Sequence, residues 1–555
     1  MMQMTGAELI VRLLERQGIR TIAGIPGGAI LPLYDALSGS ELIHHVLARH
    51  EQGAGFMAQG MARVSGRPEV CFASSGPGAT NLVTAIADAR LDSIPMVAIT
   101  GQVPLSMIGT DAFQEVDIYG MTVPITKHNF LVRSATELLE VVPAAFRIAM
   151  SGRPGPVLVD VPKDVQNQLV SFAEFPAPAV PDPAPALDMA AVEAAARMIN
   201  EAGQPVLYLG GGVIHSGAAQ QAVTLAEQAG LPTTMTLMAL GAMPLDHPLS
   251  IGMLGMHGAR YTNFVLEESD LLICVGARFD DRAIGRAAQF CPNAKIIHID
   301  VDPSELHKIK VAHVAINGDV GRVLEALLPR VKGRLRKRWL SHVESLKTRF
   351  PMQMDGLDDP RSHYGLVHAV AAALGDEAIV TTDVGQHQMW VAQAYPFRRP
   401  RQWLTSGGLG TMGFGVPAAI GAALAAPERT VVCFSGDGSF KMNVQELATL
   451  AEEGLKVKIV LMNNNSLGLV YQQQSLFYGK RVFASKYRGA PDYVKIAEGF
   501  GIAALDLDTA ANPRAALAQA LAAPGPCLIH VSIDRDEFVY PMVPPGAANT
   551  EMIGG

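Results

Sequence analysis

The chain has 555 residues, 49% of them hydrophobic and 17% charged, and its formal net charge is −8. This composition excludes an intrinsically disordered protein, and the length corresponds to about three domains. Because the negative charge is spread along the chain, a general nucleic-acid binder is disfavoured and we expect no nucleic-acid partner. One dense basic run, residues 332–338, lies in a polar stretch and is interpreted as a solvated face or a linker.

The five cysteines have no spacing typical of a metal site, and three of them lie in apolar, strand-like runs. We interpret them as reduced core residues, which indicates a reducing compartment. An amphipathic helix over residues 5–14 leaves no room for a targeting peptide, and no apolar stretch reaches the length of a membrane span. We therefore predict a cytoplasmic location and no membrane partner.

The chain divides into three blocks in which predicted strands and helices alternate, and this alternation predicts an α/β fold. The predicted organisation is an N-terminal domain at 1–170, a Pro- and Ala-rich linker at 171–188, a central domain at 189–330, a second linker at 331–362, a C-terminal domain at 363–535 and a tail or lid at 536–555. Strands are predicted at 70–75, 96–100 and 157–160, at 206–209, 271–275 and 295–299, and at 430–435 and 458–462.

The most informative motif lies in the last block. Gly436-Asp-Gly-Ser439 follows one predicted strand, and Asn464, 27 residues after Asp437, follows another. Residues at the carboxyl ends of parallel strands form the usual ligand-binding edge. Asp437 and the Asn464 side-chain oxygen suit Mg²⁺, while the glycines and the start of the helix suit phosphates. Taken alone, the Gly-Asp-Gly-Ser motif is equally well explained as a tight turn, and the Asn464 segment as a loop. Together they predict a binding site for a diphosphate held by a metal ion.

A Gly-Asp-Gly turn, a helix and a strand ending in Asn-Asn resemble the signature of thiamine-diphosphate (ThDP) enzymes. Such enzymes need a buried carboxylate beside the aminopyrimidine ring, so that the ring can remove the thiazolium C2 proton. Glu51 follows a strand-like run and opens a predicted helix, where a carboxylate taken alone is explained by the helix dipole. Because the chain also contains the diphosphate motif, we predict that Glu51 activates the cofactor and that His50 has a capping or packing role.

Further motifs, in order along nearly the whole chain, resemble the large catalytic subunits of acetohydroxyacid synthase (acetolactate synthase), of the bacterial isozyme I type. They are Gly24-Ile-Pro-Gly-Gly28, Arg49-His-Glu-Gln-Gly-Ala54, Ser75-Gly-Pro-Gly-Ala-Thr-Asn81, Phe113-Gln-Glu115, Ser151-Gly-Arg-Pro-Gly-Pro-Val157, Val161-Pro-Lys-Asp164, Gly385-Gln-His-Gln-Met-Trp390 and Gly407-Gly-Leu-Gly-Thr-Met-Gly413. This resemblance implies three doubly wound parallel-sheet domains of the ThDP-enzyme type.

The resemblance also implies roles for individual residues. Gln114 is expected to contact the reacting intermediate, and the backbone of Gly27 and Gly28 to lie near the developing oxyanion. Besides Glu51, the expected ThDP contacts are Gln386, His387, Gly410, Met412, Gly436, Gly438 and Ser439. The expected Mg²⁺ ligands are Asp437, Asn464 and the backbone carbonyl at Ser466. The expected substrate-access residues are Phe113, Lys163 and Arg278; without the resemblance, Lys163 and Arg278 are ordinary surface salt-bridge residues.

An FAD site in the central block is implied in the same way. Glycine spacing alone does not predict it, because Gly210-Gly-Gly212 is not the dinucleotide fingerprint. The expected FAD contacts are Arg153, Gly210, Gly211, Gly212, Thr236, Leu237, Met256, His257, Gly276, Arg278, Asp300 and Asp319. In the family this flavin is structural rather than a redox carrier.

The chain departs from the family at Gln473, where a tryptophan is common. A smaller, polar side chain removes an apolar wall that favours the extra methylene of 2-ketobutyrate, a preference worth about 1–3 kcal/mol in a good pocket. We therefore predict weak selection for 2-ketobutyrate over pyruvate as the second substrate. Herbicide sensitivity, which this region controls in the family, is not predicted.

The implied activity is decarboxylation of pyruvate on ThDP and transfer of the hydroxyethyl group to a second 2-ketoacid, giving 2-acetolactate or 2-aceto-2-hydroxybutyrate for branched-chain amino-acid synthesis. The implied partners are further copies of the chain, in a homodimer or homotetramer with the active site at a subunit interface, and a separate small regulatory subunit. The alternatives are pyruvate oxidase, glyoxylate carboligase and a catalytically silent flavin- or nucleotide-binding regulatory protein. Glu51 argues against the carboligase, the substrate-access set against the oxidase, and the intact Glu51, Asp437 and Asn464 against a silent protein.

Overall fold

A computed structural model describes residues 1–489 and 491–554. Its first unit contains a parallel six-stranded sheet in the order β3-β2-β4-β5-β7-β6. The strands of this unit are β1 (Met2–Thr5), β2 (Thr21–Gly24), β3 (His44–Leu47), β4 (Glu69–Ala73), β5 (Met96–Gln102), β6 (His128–Leu131), β7 (Pro156–Pro162) and β8 (Leu169–Phe172). Its helices are α1 (Gly6–Arg16), α2 (Leu31–Ser38), α3 (Glu51–Ser65), α4 (Pro77–Asn81), α5 (Val83–Asp92), α6 (Ile118–Thr122), α7 (Leu138–Met150) and α8 (Lys163–Asn167).

Burial explains why the central strands of this sheet are almost wholly apolar. Helices cover both faces of a parallel sheet, so β5 and β7 are buried along their full lengths. Outside the sheet, β1 and β8 form an antiparallel pair that ties the first residues of the chain to the end of the unit. β8 continues past residue 170, where the sequence analysis predicts the end of the N-terminal domain. The domain boundaries remain predictions.

The central unit has a second parallel six-stranded sheet, in the order β11-β10-β9-β12-β13-β14. Its strands are β9 (Pro205–Leu209), β10 (Thr233–Met235), β11 (Ser250–Met253), β12 (Leu271–Val275), β13 (Lys295–Asp300) and β14 (Val314–Asn317). Its helices are α9 (Met189–Glu201), α10 (Gly211–His215), α11 (Ala219–Ala229), α12 (Arg260–Glu267), α13 (Asp281–Ile284), α14 (Val320–Leu327) and α15 (Lys337–Arg349).

The C-terminal unit has a third such sheet, in the order β16-β15-β17-β18-β20-β19. Its strands are β15 (Ile379–Thr382), β16 (Trp403–Leu404), β17 (Val431–Gly436), β18 (Val457–Asn463), β19 (Ala503–Asp506) and β20 (Cys527–Ser532). Its helices are α16 (His363–Leu374), α17 (Gln386–Ala394), α18 (Gly415–Ala425), α19 (Asp437–Phe440), α20 (Glu446–Glu453), α21 (Gly468–Phe477), α22 (Tyr493–Gly499) and α23 (Pro513–Ala522). The predicted α/β fold with three doubly wound parallel sheets is confirmed.

Helices α3 and α18 join the first and third units through glycine contacts. A Cβ on Gly60 would lie 2.2 Å from the Ala418 carbonyl oxygen, and one on Gly421 would lie 2.0 Å from that of Met57. Glycine therefore lets the two helix backbones touch. This close packing holds the start of α3, where Glu51 lies, in a fixed relation to the C-terminal unit.

The basic run at 332–338 is largely the solvated face that the sequence predicts, since Lys332, Arg334, Lys337 and Arg338 are exposed, but Arg336 departs from it. Arg336 is buried, and its guanidinium donates to the carbonyls of Ile199, Ala202 and Ala229 near the ends of two helices. Helix C-termini carry partial negative charge and unpaired carbonyls, so they attract a buried arginine. A charge run in sequence does not reveal such partners, because they lie more than 100 residues away.

The segment at the end of the chain is anchored to the central unit. Val543 donates its N–H to the Met256 carbonyl at 2.9 Å, and Arg286 donates its N–H to that of Ala547 at 3.0 Å. Met542 and Ile553 pair with each other across the tail. Within residues 1–489 and 491–554, no helix is long and apolar enough to cross a membrane.

Candidate active site

A small cavity lies at the carboxyl ends of β17 and β18. These strands are adjacent and parallel, so the residues that follow them, Asp437 and Asn464, come to the same edge of the sheet. The cavity has a volume of about 190 Å³. Its wall contains every ThDP or Mg²⁺ residue predicted from the third block: Gln386, His387, Gly410, Met412, Gly436, Asp437, Gly438, Ser439, Asn464 and Ser466.

The oxygen groups in this wall fit a hard divalent cation. Asp437 is buried, and its Oδ2 has no hydrogen-bond partner among the described residues. Burial raises the pKa of Asp437, an effect that the nearby Lys441 ammonium opposes. The Asn464 Oδ1 accepts hydrogen bonds from the Ser466 backbone N–H at 3.2 Å and hydroxyl at 3.0 Å, which fixes the loop that carries the second ligand. A buried carboxylate beside amide and backbone oxygens is a donor set suited to Mg²⁺.

The same wall offers groups for an anion. The Nε2 of His387 is buried without a partner in the described chain, and burial lowers the pKa of this ring to about 3, so the ring is neutral. A Cβ on Gly436 would lie 2.8 Å from the His387 Nδ1, so glycine is required for this close approach. The unpaired buried nitrogen and the backbone at the start of α19 fit a diphosphate.

Two predicted contacts are already engaged within the protein. Gln386 accepts from the Asn464 amide at 2.9 Å and donates to Gln472 at 3.1 Å. The Ser439 hydroxyl donates to the Val384 carbonyl at 2.9 Å. These bonds orient the side chains of the cavity wall. Gln386 therefore positions Asn464, in addition to any contact that it makes with a bound cofactor.

Asp383 is a buried residue at this site that the sequence analysis missed. Its carboxylate accepts from the Gly413 N–H at 2.7 Å and from the Ser435 hydroxyl at 2.8 Å, and burial raises its pKa to about 6. It thus ties the segment that carries Met412 to the strand that precedes Asp437. The signal was present in the sequence, because Asp383 directly follows the buried strand β15, as Asp437 follows β17.

The residues predicted from the first block lie together at the carboxyl edge of its own sheet. Gly27 and Gly28 follow β2, Glu51 follows β3, and Gln114 lies in the long segment after β5. A Cβ on Gly27 would lie 2.6 Å from the Ser74 side chain, and one on Gly76 would lie 2.8 Å from the Gln114 carbonyl. The turn after β4 therefore packs against both neighbouring segments.

Glu51 is fixed by contacts on both sides. Asn81 donates to the Glu51 Oε2 at 2.8 Å, and a Cβ on Gly78 would lie 3.2 Å from the Oε1. The side chain of Glu446, from the third unit, accepts the N–H groups of Arg49 and His50 at 3.0 Å each. The His50 ring accepts the Gln52 N–H and caps the helix, as its predicted capping role requires.

Within one chain, the Glu51 cluster and the small cavity are separate. Residues between 384 and 470 form the cavity wall that the described chain provides. Phe113 is 87% exposed, and Lys163 begins α8 after β7. The structure therefore does not bring Glu51, Gln114, Phe113 or Lys163 into contact with the cavity in a single copy.

A second cavity, of about 900 Å³, lies between the three units. Its wall contains all the predicted FAD contacts: Arg153, Gly210, Gly211, Gly212, Thr236, Leu237, Met256, His257, Gly276, Arg278, Asp300 and Asp319. Gln473 lines this cavity as well, and Leu469, one turn earlier on α21, lines both cavities. Gln473 and Arg278 thus line the same cavity, which adjoins the small cavity at Leu469.

The large cavity fits a dinucleotide-sized ligand. Its volume is at the upper end of small-molecule sites, and the Thr236 hydroxyl is buried without a partner in the described chain. A Cβ on Gly210 would lie 2.1 Å from the Gly276 carbonyl, so the turn after β9 requires glycine. Burial lowers the pKa of His257 to about 4 and raises that of Asp300 to about 6.

Three segments of the chain match thiamine pyrophosphate enzyme families. Residues 4–121 match the N-terminal TPP binding domain, residues 192–327 the central domain, and residues 383–531 the C-terminal TPP binding domain. The chain is 64% identical to the acetolactate synthase isozyme 1 large subunit of Escherichia coli over 550 residues, which cover 99% of this chain and 98% of that protein.

The chain belongs to the acetolactate synthase large-subunit family. Other relatives support this: the chain is 49% identical to the isozyme 2 large subunit of Escherichia coli, with 99% of each chain covered. It is 48% identical to the acetolactate synthase large subunit of Parasynechococcus marenigrum, covering 99% of this chain and 91% of that protein. The predicted identity as a ThDP-dependent acetolactate synthase is confirmed, and pyruvate oxidase is not favoured.

Proposed function

We propose that the chain decarboxylates pyruvate and joins the remaining two-carbon unit to C2 of a second 2-ketoacid, releasing CO₂ and giving 2-acetolactate or 2-aceto-2-hydroxybutyrate. The observation that carries this proposal is the small cavity, where Asp437 and His387 present buried polar atoms that have no partner within residues 1–489 and 491–554. When bound, ThDP supplies the electron sink for breaking and forming the carbon–carbon bonds. The products enter branched-chain amino-acid synthesis.

Asp437, Asn464 and the Ser466 carbonyl are the proposed Mg²⁺ ligands, and Mg²⁺ would hold the diphosphate at the start of α19. Met412, in the cavity wall, is proposed to support the cofactor from below. Glu51 would hold a proton at the aminopyrimidine ring, and the Asn81 bond at 2.8 Å keeps its carboxylate oriented for this role. Gln114 and the backbone of Gly27 and Gly28 would contact the reacting atoms.

We further propose that the working unit contains at least two copies of the chain. Exposed apolar side chains occur in the chain segments that carry both halves of the site, as on surfaces that bind a partner. In the segment that contains Gln114 these are Met107, Ile108, Phe113, Tyr119, Met121 and Val123; in the segments that contain Gly410, Ser439 and Ser466 they are Leu409, Met442, Val470, Phe477, Tyr478 and Phe483. A second copy that covers both surfaces would place its Glu51 over the cavity, in a homodimer or a homotetramer.

The remaining assignments concern the large cavity and the partners. FAD is the proposed occupant of the large cavity, and Phe113, Lys163 and Arg278 the proposed substrate-access residues. The relatives are large subunits, which supports a separate small regulatory subunit for this chain. The five buried, unpaired cysteines support the predicted reducing, cytoplasmic location.

The test is incubation of the purified chain with ThDP, Mg²⁺, FAD and pyruvate, followed by product analysis. Acetolactate is the expected main product, whereas acetate with hydrogen peroxide would indicate an oxidase. Repeating the assay with equal pyruvate and 2-ketobutyrate tests Gln473. Because Gln473 offers a polar rather than an apolar wall, we expect little excess of acetohydroxybutyrate, and a strong excess would contradict its assigned role.

A further inference from the structure

Lys441 places a positive charge directly beside the proposed metal ligand. It lies four residues after Asp437, and this spacing brings two side chains to the same face of a helix. Its Nζ is 3.6 Å from the Asp437 Oδ2; the carboxylate side chain is 1% exposed and that of Lys441 31% exposed. The carboxylate oxygen, which has no hydrogen-bond partner in the described part of the chain, therefore has a cation next to it.

A second contact holds the ammonium in place. The Lys441 Nζ lies 3.4 Å from the centroid of the Tyr487 ring, within the range of a cation–π interaction. Tyr487 donates its N–H to the Asn465 carbonyl at 3.2 Å, next to the second ligand, Asn464. Lys441 is thus held between the two halves of the metal site.

The position of Lys441 shows which group it acts on. The described wall of the small cavity includes Asp437, Gly438 and Ser439 but not Lys441. The ammonium therefore contacts the Asp437 carboxylate without itself lining the cavity that is the proposed diphosphate site. Its charge acts on the metal through the shared carboxylate, whose negative charge it partly neutralises.

We propose that Lys441 is a built-in counter-cation for Asp437 that competes with the divalent metal and weakens metal binding before ThDP is present. The inference rests on the metal site of the proposed function. Without ThDP the metal has no diphosphate to bind, so its affinity depends on the protein ligands alone and the effect of Lys441 is measured there. Lys441 would thereby raise the metal concentration that fills the site in the absence of ThDP.

The test compares Mn²⁺ binding to the full-length wild-type protein and to Lys441→Met, measured by electron paramagnetic resonance without ThDP. Methionine keeps much of the side-chain length and removes the charge. The Mn²⁺ dissociation constant should fall about threefold to tenfold, since an attractive partner of the carboxylate is lost. Lys486→Met is the matched control: its ammonium also lies over a tyrosine, 5.0 Å from the Tyr471 centroid, and its Mn²⁺ affinity should equal that of the wild type.

An unchanged or weaker Mn²⁺ affinity in Lys441→Met overturns the inference; weaker binding would mean that Lys441 positions Asp437 instead. Asp437→Asn separates this failure from failure of the proposed metal site. If the wild type binds Mn²⁺ and Asp437→Asn does not, the metal site stands whatever Lys441 does. If the wild type binds no Mn²⁺ even with ThDP, both the metal site and the inference are wrong.

Discussion

At the residue scale, the assignment that matters most is Glu51. Glu51→Gln removes the carboxylate but keeps the side-chain shape and the Asn81 contact. We expect kcat to fall about 10²–10⁴-fold, the usual contribution of a positioned acid or base, while the melting temperature stays unchanged. Steady-state acetolactate formation and a thermal melt measure the two effects.

Glu452→Gln is the control for Glu51→Gln. Glu452 is an exposed carboxylate that pairs with Arg49, two residues before Glu51, and its loss should leave kcat near the wild-type value. If Glu51→Gln retained full activity, its assigned role would be wrong. If both variants lost activity equally, the effect would come from the Arg49 region rather than from the Glu51 carboxylate.

Single residues also show where sequence reasoning stops. Gln472, Gln473 and Gln474 are consecutive and identical, yet their environments differ. Gln472 is buried and bonds Gln386 and the Val539 backbone, Gln473 lines the large cavity, and Gln474 bonds the Phe483 backbone. Side-chain type and spacing do not separate them, because their partners come from segments distant in the chain. Asp437 was predictable because its place directly after a buried strand is a local property.

At the element scale, α5 of the first unit holds the segment 406–411 of the third. Asp92 accepts the N–H groups of Gly407 and Gly408 at 3.1 and 2.7 Å, and Asp88 accepts the Thr411 hydroxyl at 2.9 Å. Arg63 lies 2.8 Å from Asp92 and is also buried. Since this segment leads to Gly410 and Met412 in the small cavity, α5 positions one wall of the proposed ThDP site from another unit of the fold.

Asp92→Asn tests this clamp. It removes the nearer of the two buried carboxylates that pair with Arg63 and leaves Asp88, 3.6 Å away, so we expect the free energy of unfolding to fall by about 1–3 kcal/mol. ThDP affinity should also fall, because the 406–411 segment loses an anchor. Denaturant unfolding and ThDP titration of tryptophan fluorescence measure the two effects.

Asp246→Asn serves as the control for Asp92→Asn, because the Asp246–Arg398 pair, 2.7 Å apart, has the same chemistry at an exposed place. We expect a change of about 0–1 kcal/mol there. Equal losses in both variants would argue against burial as the cause.

Elements themselves were easier to predict than their contacts. The strand predicted at 271–275 is β12, because a fully apolar run between turns is typical of a buried parallel strand. The helix that the sequence predicts between the Gly-Asp-Gly turn and the Asn-Asn strand begins only at Glu446, since the Asn443 side chain donates to the Gly413 carbonyl and the backbone turns there. That bond joins residues 30 positions apart, and the helical pattern of the sequence does not contain it.

At the scale of the whole molecule, the site is divided between two units. The sequence motifs predicted both halves, and the parallel sheets explain why each half gathers at the carboxyl edge of its own sheet. Only the family resemblance implied that the two halves meet at an interface between subunits. One chain supplies a cavity walled by its C-terminal unit and a Glu51 cluster elsewhere. In the proposed dimer the complete site forms only between two copies, and patterns within a single chain do not encode that arrangement.

This division predicts complementation between two inactive variants. Glu51→Gln and Asp437→Asn chains with different affinity tags are co-expressed, and mixed dimers are isolated by both tags. If Glu51 acts on the cavity of the partner, one site of a mixed dimer carries both substitutions and the other carries neither. By the symmetry of a two-fold dimer, we then expect about half of the wild-type acetolactate-forming activity. If Glu51 serves the cavity of its own chain, every site carries one substitution and the mixed dimer stays inactive, which would overturn the proposed interface site.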